Sequence, residues 1–362
     1  MSKTFHHVIA TFLIVVSLFL ANGVAYADFI EDLKKDIQKY TEQINQNPNN
    51  ANVYDNRGEA YQLLSNHELA VADFSKAIEL NPNYEFYYAH RAWSYYCLKK
   101  YELAIKDYTK AIQLDPKFAS AYDNRGYVYF KIGQNERAIQ DYTKSIELNH
   151  PDLARVYNNR GEVYSNLKQY ERAIQDYSKA IELEPNDEDY YKNRGDSYFN
   201  VQKYERAIQD YTKAIELNSK DEDFYKNRGL AYLGLNKYEQ AIQDFNKAIE
   251  LDSYEEEYYK NRGIVYLALN KYEQAIKEFN KAIELNPDYS DGYFGRALAY
   301  IGLENVNSEN VKKALDDLNK AIELAPNDGM KYQVRGEFYK AIGETAKAQA
   351  DFAKAKELGY DG

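Results

Sequence analysis

The side chains best suited to catalysis are few and scattered in this sequence. Its histidines are His6, His7, His67, His90 and His150, and Cys97 is its single cysteine. No spacing among them matches a metal-ligand set, and no phosphate-cradling glycine loop or nucleophile elbow occurs. Carboxylates abound but recur at fixed intervals, whereas catalytic groups should break a repeat instead of copying it. The expectation is a chain with no catalytic residues, no metal and no cofactor. One thiol excludes an internal disulfide framework. Cys97 reads as a small filler, with a redox role as the alternative.

What recurs is chemistry for pairing and recognition. Arginine stands at Arg57, Arg91, Arg125, Arg160, Arg194, Arg228, Arg262, Arg296 and Arg335. An acid stands at Asp73, Asp107, Asp141, Asp176, Asp210, Asp244, Glu278, Asp317 and Asp351. In an antiparallel helical hairpin these positions can meet, giving arginine–carboxylate pairs within units or between neighbours. Such a ladder fixes register more than it adds net stability, because desolvation offsets the attraction. With an acid for each arginine, a row of free cations for phosphate is disfavoured. The formal net charge of −11 also argues against nucleic acid, which demands a basic stripe. An acidic surface can attract basic peptides.

The elements that carry these residues come from one repeated sentence. Residues 190–218 hold two amphipathic helical patterns around a polar break, marked by Tyr191, Gly195 and Tyr198, then Ala207, Tyr211 and Ala214. The same marks return 34 residues later at Tyr225, Gly229, Tyr232, Ala241, Phe245 and Ala248. A fixed period of this size signals a solenoid, whose core lies between stacked neighbours. Nine units open on Tyr54, Tyr88, Tyr122, Tyr157, Tyr191, Tyr225, Tyr259, Tyr293 and Tyr332, with a second tyrosine seven residues on, two turns away on the same helical face. Small residues such as Gly58 and Gly195 face alanines such as Ala70 and Ala207, so the helices approach closely and rings fill the flanks. All seven prolines fall where a helix should stop.

The tyrosine, small-residue and alanine columns and the junction prolines resemble the tetratricopeptide repeat, over about residues 51–358. The resemblance implies an all-α, right-handed superhelical solenoid of antiparallel helix pairs: nine units over residues 50–362, after a capping half-repeat helix at 28–49. Two departures are local and a third is larger. His150-Pro151 lengthens one junction, Ser219 and Ser253 replace proline in others, and residues 304–310 enlarge one turn, read as a mobile surface loop.

In that family the first helices line a concave groove that reads peptides or proteins. The resemblance then places Phe86, His90, Trp93, Tyr96 and Cys97 at the groove, beside Asn124, Tyr127, Phe130 and Lys131. Exposed groove aromatics are typical peptide anchors, with packing between units as the alternative. Further along, Lys192-Asn193, Lys226-Asn227 and Lys260-Asn261 could engage a peptide backbone and carboxylate. The local alternative pairs the lysines with Glu188, Glu222 and Glu256, four residues earlier. The family's two-carboxylate clamp is incomplete: Glu59, Glu162, Asp196, Leu230 and Ile264 stand where its second asparagine belongs.

Residues 1–27 read as a secretory signal. Lys3 precedes the apolar run 8–20, and Ala25-Tyr26-Ala27 offers small residues to a peptidase. An uncleaved membrane anchor is the alternative; after cleavage no stable span is expected. The combined expectation is an exported, non-catalytic scaffold for a protein or peptide partner in a bacterial envelope, periplasm or exterior. A carbohydrate-binding or regulatory envelope subunit is the alternative.

Overall fold

A computed structural model describes residues 23–303 and 308–360. The expected signal thus lies mostly outside the described residues. Nineteen helices make up the described chain. No described helix is long and apolar enough to cross a membrane. The chain divides into two compact units, one ending at Pro185 and one beginning at Asn186.

The first unit holds α1 (Gly23–Gln46), α2 (Ala51–Leu63), α3 (His67–Leu80), α4 (Glu85–Cys97) and α5 (Tyr101–Leu114). It continues with α6 (Ala119–Lys131), α7 (Asn135–Glu147), α8 (Leu153–Asn166) and α9 (Tyr170–Leu183). Helix α1 packs on α2, and α2–α3, α4–α5, α6–α7 and α8–α9 form hairpins. The first helices α2, α4, α6 and α8 also touch one another in turn, making one face. The second unit repeats the plan with α10 (Glu188–Asn200), α11 (Tyr204–Leu217), α12 (Glu222–Gly234), α13 (Tyr238–Leu251) and α14 (Glu256–Ala268). It ends with α15 (Tyr272–Leu285), α16 (Ser290–Gly302), α17 (Ser308–Leu324), α18 (Gly329–Ala341) and α19 (Thr345–Glu357). The fold is all-α, built of antiparallel helix pairs.

The repeated residues explain each pair. Helix α11 buries Ala207, Asp210, Tyr211 and Ala214 on one stripe and carries Glu205 in its first turn, where the helix dipole favours an acid. Its partner α10 brings Gly195 so close that an added Cβ would lie 2.8 Å from a Tyr211 ring carbon. Between the two helices the chain turns through a left-handed residue: Ser65, Lys99, Gly133, Lys168, Gln202, Asn236 and Asn270 all have positive φ. At the first of these, Ser65 N donates to Gln62 O and Asn66 N to Tyr61 O, which satisfies the last carbonyls of α2.

Junctions between pairs need an extended residue, supplied before proline by Asn81 (φ −142°). Asn218 adopts the same conformation (φ −139°) although Ser219 follows it, so proline reinforces this turn without being required. The hydroxyl of the opening tyrosine clasps the junction, as in Tyr88 to Pro82 O and Tyr293 to Pro287 O, each 3.1 Å. The enlarged turn differs from expectation. Helix α17 already begins at Ser308, so residues 308–310 lengthen a helix; residues 304–307 lie outside the described residues.

Candidate peptide-binding face

Every arginine of the column grips the acid of its own hairpin in a two-pronged bridge. Arg57 Nε and Nη2 meet the Asp73 carboxylate at 2.7 Å each, and Arg194 meets Asp210 at 2.8 and 2.7 Å. Arg228 binds Asp244 at 2.8 and 2.7 Å. The third nitrogen reaches the preceding second helix, as in Arg91 to Ser75 (3.0 Å) and Arg228 to Thr212 (3.1 Å). Seven of the nine guanidinium groups also lie beside both column tyrosines, Arg91 at 5.9 Å from Tyr88 and 5.8 Å from Tyr95; Arg262 and Arg296 lie beside the first only. Burial raises the Asp210 and Asp244 carboxyls above the ordinary range despite the opposing pull of their arginines. Desolvation therefore consumes much of the attraction. These arginines are spent on architecture.

The aromatic residues of the first unit form a contiguous patch on the first-helix face. Trp93 lies 5.2 Å from Tyr96 on α4, and Tyr96 meets Tyr127 of α6 edge-on at 5.4 Å. Phe86 stacks near Phe118 at 4.8 Å. All four candidate rings are half-buried, as is Asn124. Packing and display are thus combined: Phe86 and Tyr96 rest on one core cluster, Tyr127 and Phe130 on the next. The Lys131 ammonium sits 4.9 Å from the Tyr127 ring, so the face of that ring already holds a cation. Burial pushes the Cys97 thiol up to about 11, which keeps it protonated and suits a filler.

His90 is buried, not displayed. Its Nδ1 lies 2.8 Å from Asp55 Oδ1 and its Nε2 3.5 Å from Glu59 Oε1. Its ring packs 5.4 Å from Phe74. Burial opposes the charged imidazole, but the two carboxylates outweigh it and raise its pKa. Gln62 adds bonds to the His90 carbonyl (3.0 Å) and Ser94 (2.8 Å). This cluster ties the first hairpin to the second.

The second unit spends its lysines locally, with partners other than the expected glutamates. Lys192 meets Asp196 at 3.3 Å; Lys226 meets Asp223 and, at 3.8 Å, Glu257; Lys260 meets Glu257 at 3.8 Å. Glu188 and Glu256 instead accept from the junction amides Asn218 (3.2 Å) and Asn286 (2.7 Å). Asn193 accepts from Ser197 through its carbonyl, and Asn227 donates to Asp196 at 3.2 Å. Asn261 is only 2% exposed, and its Nδ2 has no partner among the described residues. The reason is visible one repeat earlier: Asp196, which accepts from both Asn227 and Tyr211, corresponds to Leu230 beside Asn261.

Tetratricopeptide repeat profiles match residues 51–84, 154–187 and 222–254, with a further one over 177–209. A TPR repeat profile matches 92–133, 126–168, 195–236 and 263–304. The chain belongs to the tetratricopeptide repeat proteins. A repeat protein structure from Parabacteroides merdae is similar at 22% identity and TM-score 0.58, over 67% of this chain and 94% of that one. PilF of Pseudomonas aeruginosa is similar at 20% identity and TM-score 0.50, over 56% and 92%. YrrB, described as a TPR protein with an unusual peptide-binding site, is 25% identical with TM-score 0.46, over 51% and 95%. No curated protein matches the chain.

Within this tetratricopeptide repeat protein, no group of three or more His, Cys, Asp or Glu among the described residues is placed to hold a metal. Three buried residues of the first unit escaped the sequence reading: Asp123 on α6, and Tyr108 and Tyr142 on the second helices α5 and α7. All are buried, and Tyr108 OH, Asp123 Oδ1 and Tyr142 OH lack hydrogen-bond partners among the described residues. The other Asp123 oxygen binds Arg155 at 2.9 Å. A signal existed in the columns: both tyrosines carry a hydroxyl where the overlying position holds an aromatic, not an acid.

Proposed function

We propose that this tetratricopeptide repeat protein is a non-catalytic scaffold that holds an extended or helical segment of a protein partner. The segment lies on the first-helix face of the first unit. The observation that carries this reading is the half-buried aromatic patch of Phe86, Trp93, Tyr96 and Tyr127, flanked by Asn124. Large rings held by packing lose little freedom on binding and supply most of the contact area. The second unit, whose candidate lysines Lys192, Lys226 and Lys260 are engaged by its own carboxylates, offers less unspent chemistry there. Residues 1–27 support export through the secretory pathway, with work in a bacterial envelope, periplasm or exterior. Intact mass of the chain from its native host should then begin at Asp28.

The experiment is a peptide array and a glycan array probed with the chain from Asp28 onward and with its Trp93→Ala/Tyr127→Ala variant. Peptide spots that fade in the variant support the reading. Glycan spots that fade instead replace it with sugar stacking. Peptide spots equally bright in both proteins discard the aromatic patch as the site.

A further inference from the structure

One pair of positions facing each other across each hairpin is filled differently along the chain. In the α10–α11 pair, Tyr211 OH on the second helix donates to Asp196 on the first at 2.7 Å. In the next two pairs, Phe245 and Phe279 replace that tyrosine and Leu230 and Ile264 replace that acid. Leu318 and Leu298 stand there in the pair after. In these four pairs polar meets polar or apolar meets apolar, whereas the α2–α3 and α18–α19 pairs carry Glu59 with Phe74 and Glu337 with Phe352.

The α4–α5 and α6–α7 pairs do neither. Tyr108 and Tyr142 keep the hydroxyl, while Trp93 and Tyr127 take the place of the acid. Both hydroxyls are buried without a hydrogen-bond partner among the described residues, and so is Asp123 Oδ1 between them in sequence. Burial foremost, with the nearby Asp123 carboxylate adding, drives both phenols well above their ordinary pKa. Each orphaned group costs about 1–3 kcal/mol, a cost that phenylalanine would remove at either tyrosine. Two adjacent repeats carry this cost directly behind the aromatic patch, and departures from local rules gather at functional sites.

We propose that this face takes an arginine side chain of the partner, its guanidinium against Trp93, Tyr96 and Tyr127 and donating to Asp123, Tyr108 and Tyr142. The inference rests on the peptide-binding reading above and narrows its ligand. Asp123 Oδ1 is the carboxylate oxygen among these acceptors; its other oxygen already binds Arg155 at 2.9 Å, and charge-assisted bonds are the strongest answer to a carboxylate. Guanidinium is planar, stacks on rings and offers five donors in one plane, enough for three acceptors; an ammonium is a point charge with fewer fixed directions. The chain's net charge of −11 draws basic segments toward it. Entry requires Tyr96, wedged beside both Trp93 and Tyr127, to turn aside.

That movement gives the test, because Trp93 is the only tryptophan and its fluorescence reports on the site. The chain from Asp28 onward is titrated with short acetylated alanine–serine peptides bearing one central arginine, lysine, citrulline or aspartate. The expected result is a Trp93 response and tightest binding for arginine, with citrulline weaker by about tenfold or more. Tyr108→Phe and Tyr142→Phe should raise the melting temperature of the free chain while weakening the arginine peptide several-fold. Asp123→Asn should weaken it most. A purely structural role for the hydroxyls would leave binding unmoved. Equal binding of arginine and citrulline peptides, or full binding by the double phenylalanine variant, overturns the arginine site. If array peptides still bind in a Trp93-dependent manner, the groove reading survives that loss. If no peptide binding depends on Trp93 and Tyr127, both readings fall.

Discussion

At the level of single residues, His90 is the group whose ionisation the fold uses. It sits between Asp55 and Glu59, and its pKa is raised because the carboxylates outweigh its burial. Burial also raises Glu59, with His90 opposing and Asp55 adding. Both folded values lie above the unfolded ones. Each contribution is therefore fully present below the ordinary values of 4.5 and 6.5 and is lost as pH rises through the raised ones. The first unit should melt at lower temperature as pH climbs through and beyond that range. In His90→Gln the histidine part of this slope should vanish, and an NMR titration of His90 should place its pKa above 6.5. Identical pH profiles for the two proteins would contradict the clamp. The sequence reading put His90 at a displayed position. It lacked the fact that Asp55 and Glu59, a full repeat upstream, turn inward to meet it.

At the level of helix pairs, the bridge between Arg194 and Asp210 decides what the ladder does. Their side chains are 20% and 8% exposed, so removing one partner strands a desolvated charge. Arg194→Leu should cost about 3–5 kcal/mol in urea unfolding, whereas Arg194→Met with Asp210→Leu should come near neutral. A small loss in the single variant would mean that the arginine contributes little where it stands. This ladder was legible in the sequence because nine copies repeat it, and repetition separates a framework column from chance. The lysine partners were not legible. Lys192 has acids one turn to either side, and the choice of Asp196 follows because Glu188 is drawn off by Asn218 from thirty residues away. Such choices depend on neighbouring helices, which a spacing rule within one helix does not contain.

At the level of the molecule, two helical patterns per unit and a solenoid followed from the period, and the antiparallel pairing from the resemblance to the tetratricopeptide repeat. Stability in such arrays is nearly a sum over neighbours, so the columns that build it must recur. Function, by contrast, has to sit where the columns differ. The first unit differs by its rings and orphaned acceptors, the second by its self-paired lysines. Reading differences between copies, instead of their consensus, would have found Tyr108 and Tyr142 without coordinates. Their lack of partners needed the structure, because it depends on what surrounds a hydroxyl on every side.

The most direct measurement is hydrogen exchange by mass spectrometry on the chain, free and saturated with the tightest peptide from the array. Slowed exchange concentrated in α4 and α6, and abolished by Trp93→Ala/Tyr127→Ala, is the predicted result. Protection confined to the second helices α5 and α7, or to the second unit, would contradict the placement of the binding face.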